Sequence, residues 1–393
     1  MFSNRTNWNL ATNRLSEALA RHRASGRKLL DLSASNPTEC GFHYDDHAIM
    51  RALCSPGTLS YHPDPRGLAP ARDAVAGYYA PRVAPEDMVL TTSTSEAYSF
   101  VFRLLCNPGD ELLIPTPSYP LFDFLAGLQD VNLKPYPLIY DHGWQIDFHA
   151  LEQAITSRTR GVIVVHPNNP TGHFTKAAER AALNQICQAR DLALIVDEVF
   201  LDFPLNPGSS PENETPVSFS ANHAAPTFTM SGLSKISGLP QMKLAWLVVS
   251  GPEPWKREAL ARLEVIADTY LSLSTPIQLA APVLLEQRHG FQKQLMGRVC
   301  ENLAELDRQL AQQKHCGRLQ IEGGWYAILR IPATRSDEEF ALEMLEQHDV
   351  YLHPGHFYDF HQEGYAVISL ITPEKEFAEG IERVLEIGTS GHR

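Results

Sequence analysis

Ser231-Gly232-Leu233-Ser234-Lys235-Ile236-Ser237-Gly238-Leu239-Pro240 sets a single lysine among small and hydroxyl residues in an otherwise apolar part of the chain. Two other distinctive segments precede it. His166-Pro167-Asn168-Asn169-Pro170-Thr171-Gly172 follows the run Gly161-Val-Ile-Val-Val165, and Asp197 follows Leu192-Ala-Leu-Ile-Val196. Runs this apolar and β-branched are expected to form strands buried on both faces, each delivering a polar loop. Thr227-Phe-Thr-Met230 reads the same way and feeds Lys235. Between such strands lie stretches of helical periodicity, residues 176–189 among them. The alternation implies an α/β fold with a mainly parallel sheet covered by helices, whose ligands sit at the carboxyl ends of the strands.

The rest of the chain is consistent with that plan. Helical spacing runs over residues 8–25, and a short strand at 29–33 turns at Ala34-Ser35-Asn36-Pro37. A loop punctuated by Pro and Gly, Leu59 to Gly67, leads into a helix over 69–79. The strand at 88–92 breaks into Ser93-Thr94-Ser95, good N-caps for the helix that follows. Free backbone N–H groups and the helix dipole make that turn an anion site. A further strand at 112–115 ends in Thr116-Pro117-Ser118-Tyr119-Pro120. Residues 204–226 read as an exposed loop, 244–249 as a strand and 254–314 as helices. Paired strands over 318–331, a strand at 365–371 and a helix at 374–387 complete the chain.

Composition narrows the partners. At 393 residues there is length for roughly two to three domains and a large core. A net charge of -13 disfavours nucleic acid or an anionic membrane as a general partner. No apolar stretch follows Met1-Phe2-Ser3-Asn4-Arg5, and no run approaches the roughly 20 apolar residues that span a bilayer. The six cysteines are scattered without a Cys-x-x-Cys pair, which fits free thiols in a reducing cytoplasm. The sixteen histidines include no His-Glu-x-x-His pattern, so no metal centre is expected.

Taken together and in this order, the Asn169, Asp197 and Lys235 segments resemble the core of the class I and II aminotransferases, pyridoxal phosphate enzymes of fold-type I. The likeness covers nearly the whole chain from about Leu29 onward. It implies a mainly parallel sheet of the seven-stranded type sandwiched by helices, with a smaller α+β domain. Residues 1–45 would be an N-terminal arm and part of the small domain, 46–270 the large cofactor domain, and 271–393 the linking helices and small C-terminal domain.

The same resemblance implies the site. Lys235 would hold pyridoxal phosphate as a Schiff base and shuttle the proton. Asp197 would pair with the pyridine nitrogen and raise its pKa, which keeps the ring able to accept electrons. Asn169 would hold the phenolic oxygen and Tyr119 would stack on the ring. Thr94, Ser95, Ser234 and Lys243 would neutralise the phosphate, and Tyr61 would reach the phosphate of a neighbouring subunit, making a homodimer. The implied reaction moves an amino group from a small amino acid or amine to a keto acid. A lyase or decarboxylase on the same scaffold, and a non-catalytic pyridoxal phosphate-binding protein, are the alternatives.

Four positions depart from the family pattern. Phe200 stands where a tyrosine usually shares the phenolic oxygen, Lys243 where an arginine usually binds phosphate, and Ser35 where many members have glycine. Val367-Ile368-Ser369 lacks the arginine that clamps the substrate carboxylate. Either another cation, such as Arg330 or a residue of the 353–362 segment, meets that carboxylate, or the substrate is not an ordinary α-amino acid.

Overall fold

The computed structural model describes residues 1–205 and 216–388. Of the loop expected over 204–226, residues 206–215 lie outside the described residues.

The apolar runs form the centre of the molecule. Seven strands lie side by side in the order Met88–Thr91, Ala245–Ser250, Thr227–Gly232, Ala193–Asp197, Thr159–Val165, Glu111–Thr116 and Asn132–Tyr140. All run parallel except Ala245–Ser250, which is antiparallel to both neighbours. A short eighth strand, Trp144–Ile146, extends the sheet by pairing with Leu138, Ile139 and Tyr140. The Asn132–Tyr140 strand escapes a sequence reading because Pro135 and Pro137 interrupt it. Its outer side carries only that short pairing, the kind of place where strands tolerate proline.

Side chains alternate between the two faces of the sheet and build three separate cores, one of them formed by Met88, Leu90, Trp246 and Val248 against the helices Ala69–Tyr79 and Thr275–Glu286. Ile163, Val165 and Ile195 pack beneath the helices Thr94–Leu105 and Glu253–Asp268. Val162, Val164, Leu194 and Val196 face the opposite way. They join one continuous core that includes Leu183, Trp325, Ile368 and Ile381. Strands buried on both sides in this way need no polar alternation, and their sequences show none.

A second, antiparallel sheet contains Gly317–Arg318, Tyr326–Arg330, Tyr365–Ser369 and His353–Pro354, in that order. Beside it Leu30–Asp31 pairs in parallel with Val350–Tyr351, which ties the two ends of the chain together. The helical pattern over 8–25 is realised as Arg14–Ala24. It starts late because the Asn13 side chain accepts a hydrogen bond from the backbone N–H of Ser16 and caps the helix there. No helix among the described residues is long and apolar enough to cross a membrane.

Gly172 joins the two sheets at close quarters. Its φ is +71°, and a Cβ built there would lie 2.5 Å from the carbonyl oxygen of Gly323. Gly172→Ala is therefore expected to destabilise the protein by about 2 kcal/mol or more, read as a lower denaturant midpoint at unchanged slope.

Candidate functional site

The carboxyl ends of the central strands open into a cavity of about 470 Å³. Three central strand ends supply its floor. Asn169 comes from the loop after Thr159–Val165, Asp197 from the last position of its own strand, and Lys235 from a helix of one turn after Thr227–Gly232. The Thr94–Leu105 helix points its first turn into the same space, with Ser93 as the N-cap accepting from the N–H of Glu96. Thr94 and Ser95 follow the cap, so their backbone N–H groups are left without helical partners.

Burial sets the charges of the two central groups. Loss of hydration lifts the Asp197 carboxyl from 3.8 to about 6. Hydrogen bonds from the Val199 N–H at 3.1 Å and the Tyr98 hydroxyl at 3.2 Å oppose that rise, as does the charge of Lys235. Lys235 keeps some exposure because it faces the cavity, yet protein surrounds it. Desolvation lowers its amine from 10.5 to about 8, with Asp197 pulling the other way. Its Nζ lies 4.8 Å from the ring centre of Trp325 and 5.5 Å from that of Phe200, so aromatic faces stabilise the ammonium where no hydroxyl does. Glu198, next in sequence to Asp197, turns away as strand alternation requires. It accepts from Ser218 Oγ and from the Phe219 N–H, each at 2.6 Å, and burial pushes it up to about 7.

Seven of the residues singled out from the sequence line this one cavity: Thr94, Ser95, Tyr119, Asn169, Asp197, Ser234 and Lys235. Two do not. Tyr61 is 73% exposed and borders a separate cleft with Leu90 and Leu273, and Lys243 is exposed outside the cavity wall. Ser35 and Phe200, noted as departures from the family pattern, and the 353–362 segment, named for the substrate carboxylate, also supply wall residues. Tyr98 does not line the cavity but holds Asp197 from behind it, and was detectable because it lies four residues after Thr94 and so on the same helix face. Tyr326, His353, Phe357 and Tyr358 reach the cavity only because the second sheet folds back over it.

Comparison with known proteins gives this geometry a context. The family described as aminotransferase class I and II matches residues 27–384. The glutamate-pyruvate aminotransferase AlaA of Escherichia coli is 27% identical over 343 residues, spanning 84% of this chain and 83% of the relative. An alanine aminotransferase of Mycobacterium tuberculosis is 26% identical over 382 residues, spanning 93% and 86%. Among solved structures, an aminotransferase from Escherichia coli matches with a TM-score of 0.88 at 24% identity, covering 100% of this chain and 99% of the other. An alanine aminotransferase from Pyrococcus furiosus matches with a TM-score of 0.88 at 23% identity, covering 99% and 100%. With the family matched from one end of the fold to the other, this chain belongs to the class I and II aminotransferases, and is an enzyme of that class using pyridoxal phosphate.

Proposed function

We propose that Lys235 and Asp197, facing one cavity from the ends of neighbouring strands, divide the work of aminotransfer between them. That shared cavity is the observation that carries the reading. The residues present suit the cofactor. Asn169 brings to the cavity a side-chain amide N–H able to donate to the phenolic oxygen, Asp197 is a buried carboxylate, and the first turn of Thr94–Leu105 offers N–H donors for a phosphate. Once bound, pyridoxal phosphate supplies an electron sink that makes the substrate's amino-bearing carbon acidic.

Each residue has a separate task. Asp197 holds positive charge at the pyridine nitrogen and is itself oriented by Tyr98 and Val199. Asn169 holds the phenolic oxygen, and Tyr119 covers the ring. Thr94, Ser95 and Ser234 share the phosphate. Lys235 tethers the cofactor and then carries the proton. An amine lowered to about 8 keeps a useful neutral fraction near neutral pH, which a proton shuttle needs.

The chain is further read as a cytoplasmic homodimer acting on a small amino acid or amine and a keto acid. Exposed Met50, Leu59 and Tyr61 give the dimer an apolar surface, with Tyr61 reaching the second subunit's phosphate. Six unpaired cysteines support a reducing compartment. The pairing of Leu30–Asp31 with Val350–Tyr351 supports grouping residues 1–45 with the small domain of 271–393, around a large domain of 46–270.

A half-reaction tests the function directly. Loaded protein mixed with a panel of amino donors should lose the absorbance of the cofactor's aldehyde form and gain that of its amine form. Retention of the aldehyde form with every donor would defeat the reading. In the same assay, Phe200→Tyr is expected to lower the pH at which the bound cofactor's visible absorbance titrates, because a phenol near the ring stabilises the deprotonated state. An unchanged titration would show that Phe200 has no bearing on it.

A further inference from the structure

The charge of the cavity is lopsided. Lys235 and Asp197 occupy one end, whereas the wall formed by the second sheet and the N-terminal segment presents Ser33, Ser35, Tyr326, His353, Phe357 and Tyr358. Among the described residues lining the cavity, Lys235 is the only lysine or arginine. Arg330 ends its strand exposed to solvent and away from the cavity. Val367 is 1% exposed and supplies no charge at the position that departs from the family pattern.

Strand register decides what stands there instead. His353 is the direct cross-strand partner of Val367 in the antiparallel pair His353–Pro354 with Tyr365–Ser369. Residues directly opposite in such a pair send their side chains to the same face, with Cβ atoms about 5 Å apart. His353 therefore stands beside Val367 and reaches the cavity that Val367 does not. Its Nδ1 lies 3.1 Å from the Tyr358 hydroxyl, which orients the ring, and Nε2 has no partner among the described residues. The rings of Tyr351, Phe357 and Tyr358 enclose it, and Asp31 is the one charge acting on it. Burial lowers its pKa from 6.5, so without an anion alongside it rests neutral.

We propose that His353 receives the carboxylate of the substrate, in the place of a guanidinium, with Tyr358 as the positioning residue that aims its ring. The inference rests on the aminotransferase reading and adds the group that recognises the acid. A carboxylate arriving at Nε2 favours the imidazolium, and a proton taken from solvent completes the pair. Recognition of this kind is dependent on pH, as recognition by arginine is not.

The test uses two unreactive probes of one shape, 3-phenylpropionate and 3-phenylpropionamide, titrated into cofactor-loaded protein and followed by calorimetry. The preference for the acid over the amide should fall by about tenfold as the pH rises from about 6 to 8. His353→Asn should weaken the acid by about tenfold while leaving the amide within about threefold, and His353→Arg should restore the acid and flatten its pH profile. With reacting substrates, His353→Asn should raise KM for amino acid and keto acid by more than it lowers kcat. An acid-to-amide preference independent of pH in the parent protein, or equal losses of both probes in His353→Asn, would overturn the proposal. Because neither probe reacts, the result is separate from the half-reaction that tests aminotransfer.

Discussion

Lys235→Ala should slow aminotransfer by about 10⁴-fold, since one substitution removes both the tether and the proton carrier. Borohydride should fix the cofactor irreversibly to the parent chain, on the peptide containing Lys235, and leave the variant unlabelled. Small exogenous amines should recover part of the lost rate by carrying the proton through the vacated space. Turnover near the parent's, or labelling of a different lysine, would remove Lys235 from its role. The enclosure of Nζ by Trp325 and Phe200 explains why no neighbouring base is expected to substitute.

Asp197→Asn should act on catalysis and stability in opposite directions. Turnover should fall by about 10²-fold or more, because a neutral amide no longer holds charge at the pyridine nitrogen. For the cofactor-free protein the stability effect has the other sign. Burial raises the folded pKa from 3.8 to about 6, so the folded chain binds this proton more tightly than the unfolded chain does. Below pH 4 the carboxyl is protonated in both states and costs nothing. As pH rises through 6 the folded chain has to carry a buried carboxylate, and the penalty reaches on the order of 3 kcal/mol at neutrality. The cofactor-free variant should thus melt above the cofactor-free parent at pH 7.5, with the gap closing toward pH 4. Equal melting temperatures across that range would show that the carboxylate is better solvated than its surroundings imply.

This opposition is common at functional sites, where a residue retained for chemistry strains the fold. Glu198 is the informative neighbour. It is also buried and raised, to about 7, but Ser218 and the Phe219 N–H already satisfy it, and it lies on the side of the strand away from the cavity.

How much of this was legible beforehand follows from where each signal resides. Lys235, Asp197 and Asn169 were readable because each caps an apolar run, and local patterns of that kind survive in a bare sequence. The helix Ala69–Tyr79 was likewise readable to the residue. Long-range geometry was not. The 353–362 segment was named for the carboxylate from the sequence, but only the register with Val367 singles out His353 within it, and Tyr326 becomes a wall residue only through the return of the second sheet. The Asn132–Tyr140 strand was hidden by its prolines. Tyr61 and Lys243, assigned by resemblance, stand apart from the cavity within a single chain.

The parallel pairing of Leu30 with Val350 has a consequence for biosynthesis. A chain emerging from the ribosome brings out the N-terminal segment, with Ser33 and Ser35, roughly 320 residues before its partner strand exists, an interval of about 16–60 s at ordinary translation rates. Residues 88–250, which contain every described strand of the central sheet, emerge in the meantime. The cofactor's cradle therefore precedes the substrate's wall in order of synthesis, since Asn169, Asp197 and Lys235 are made well before Tyr326, His353 and Tyr358.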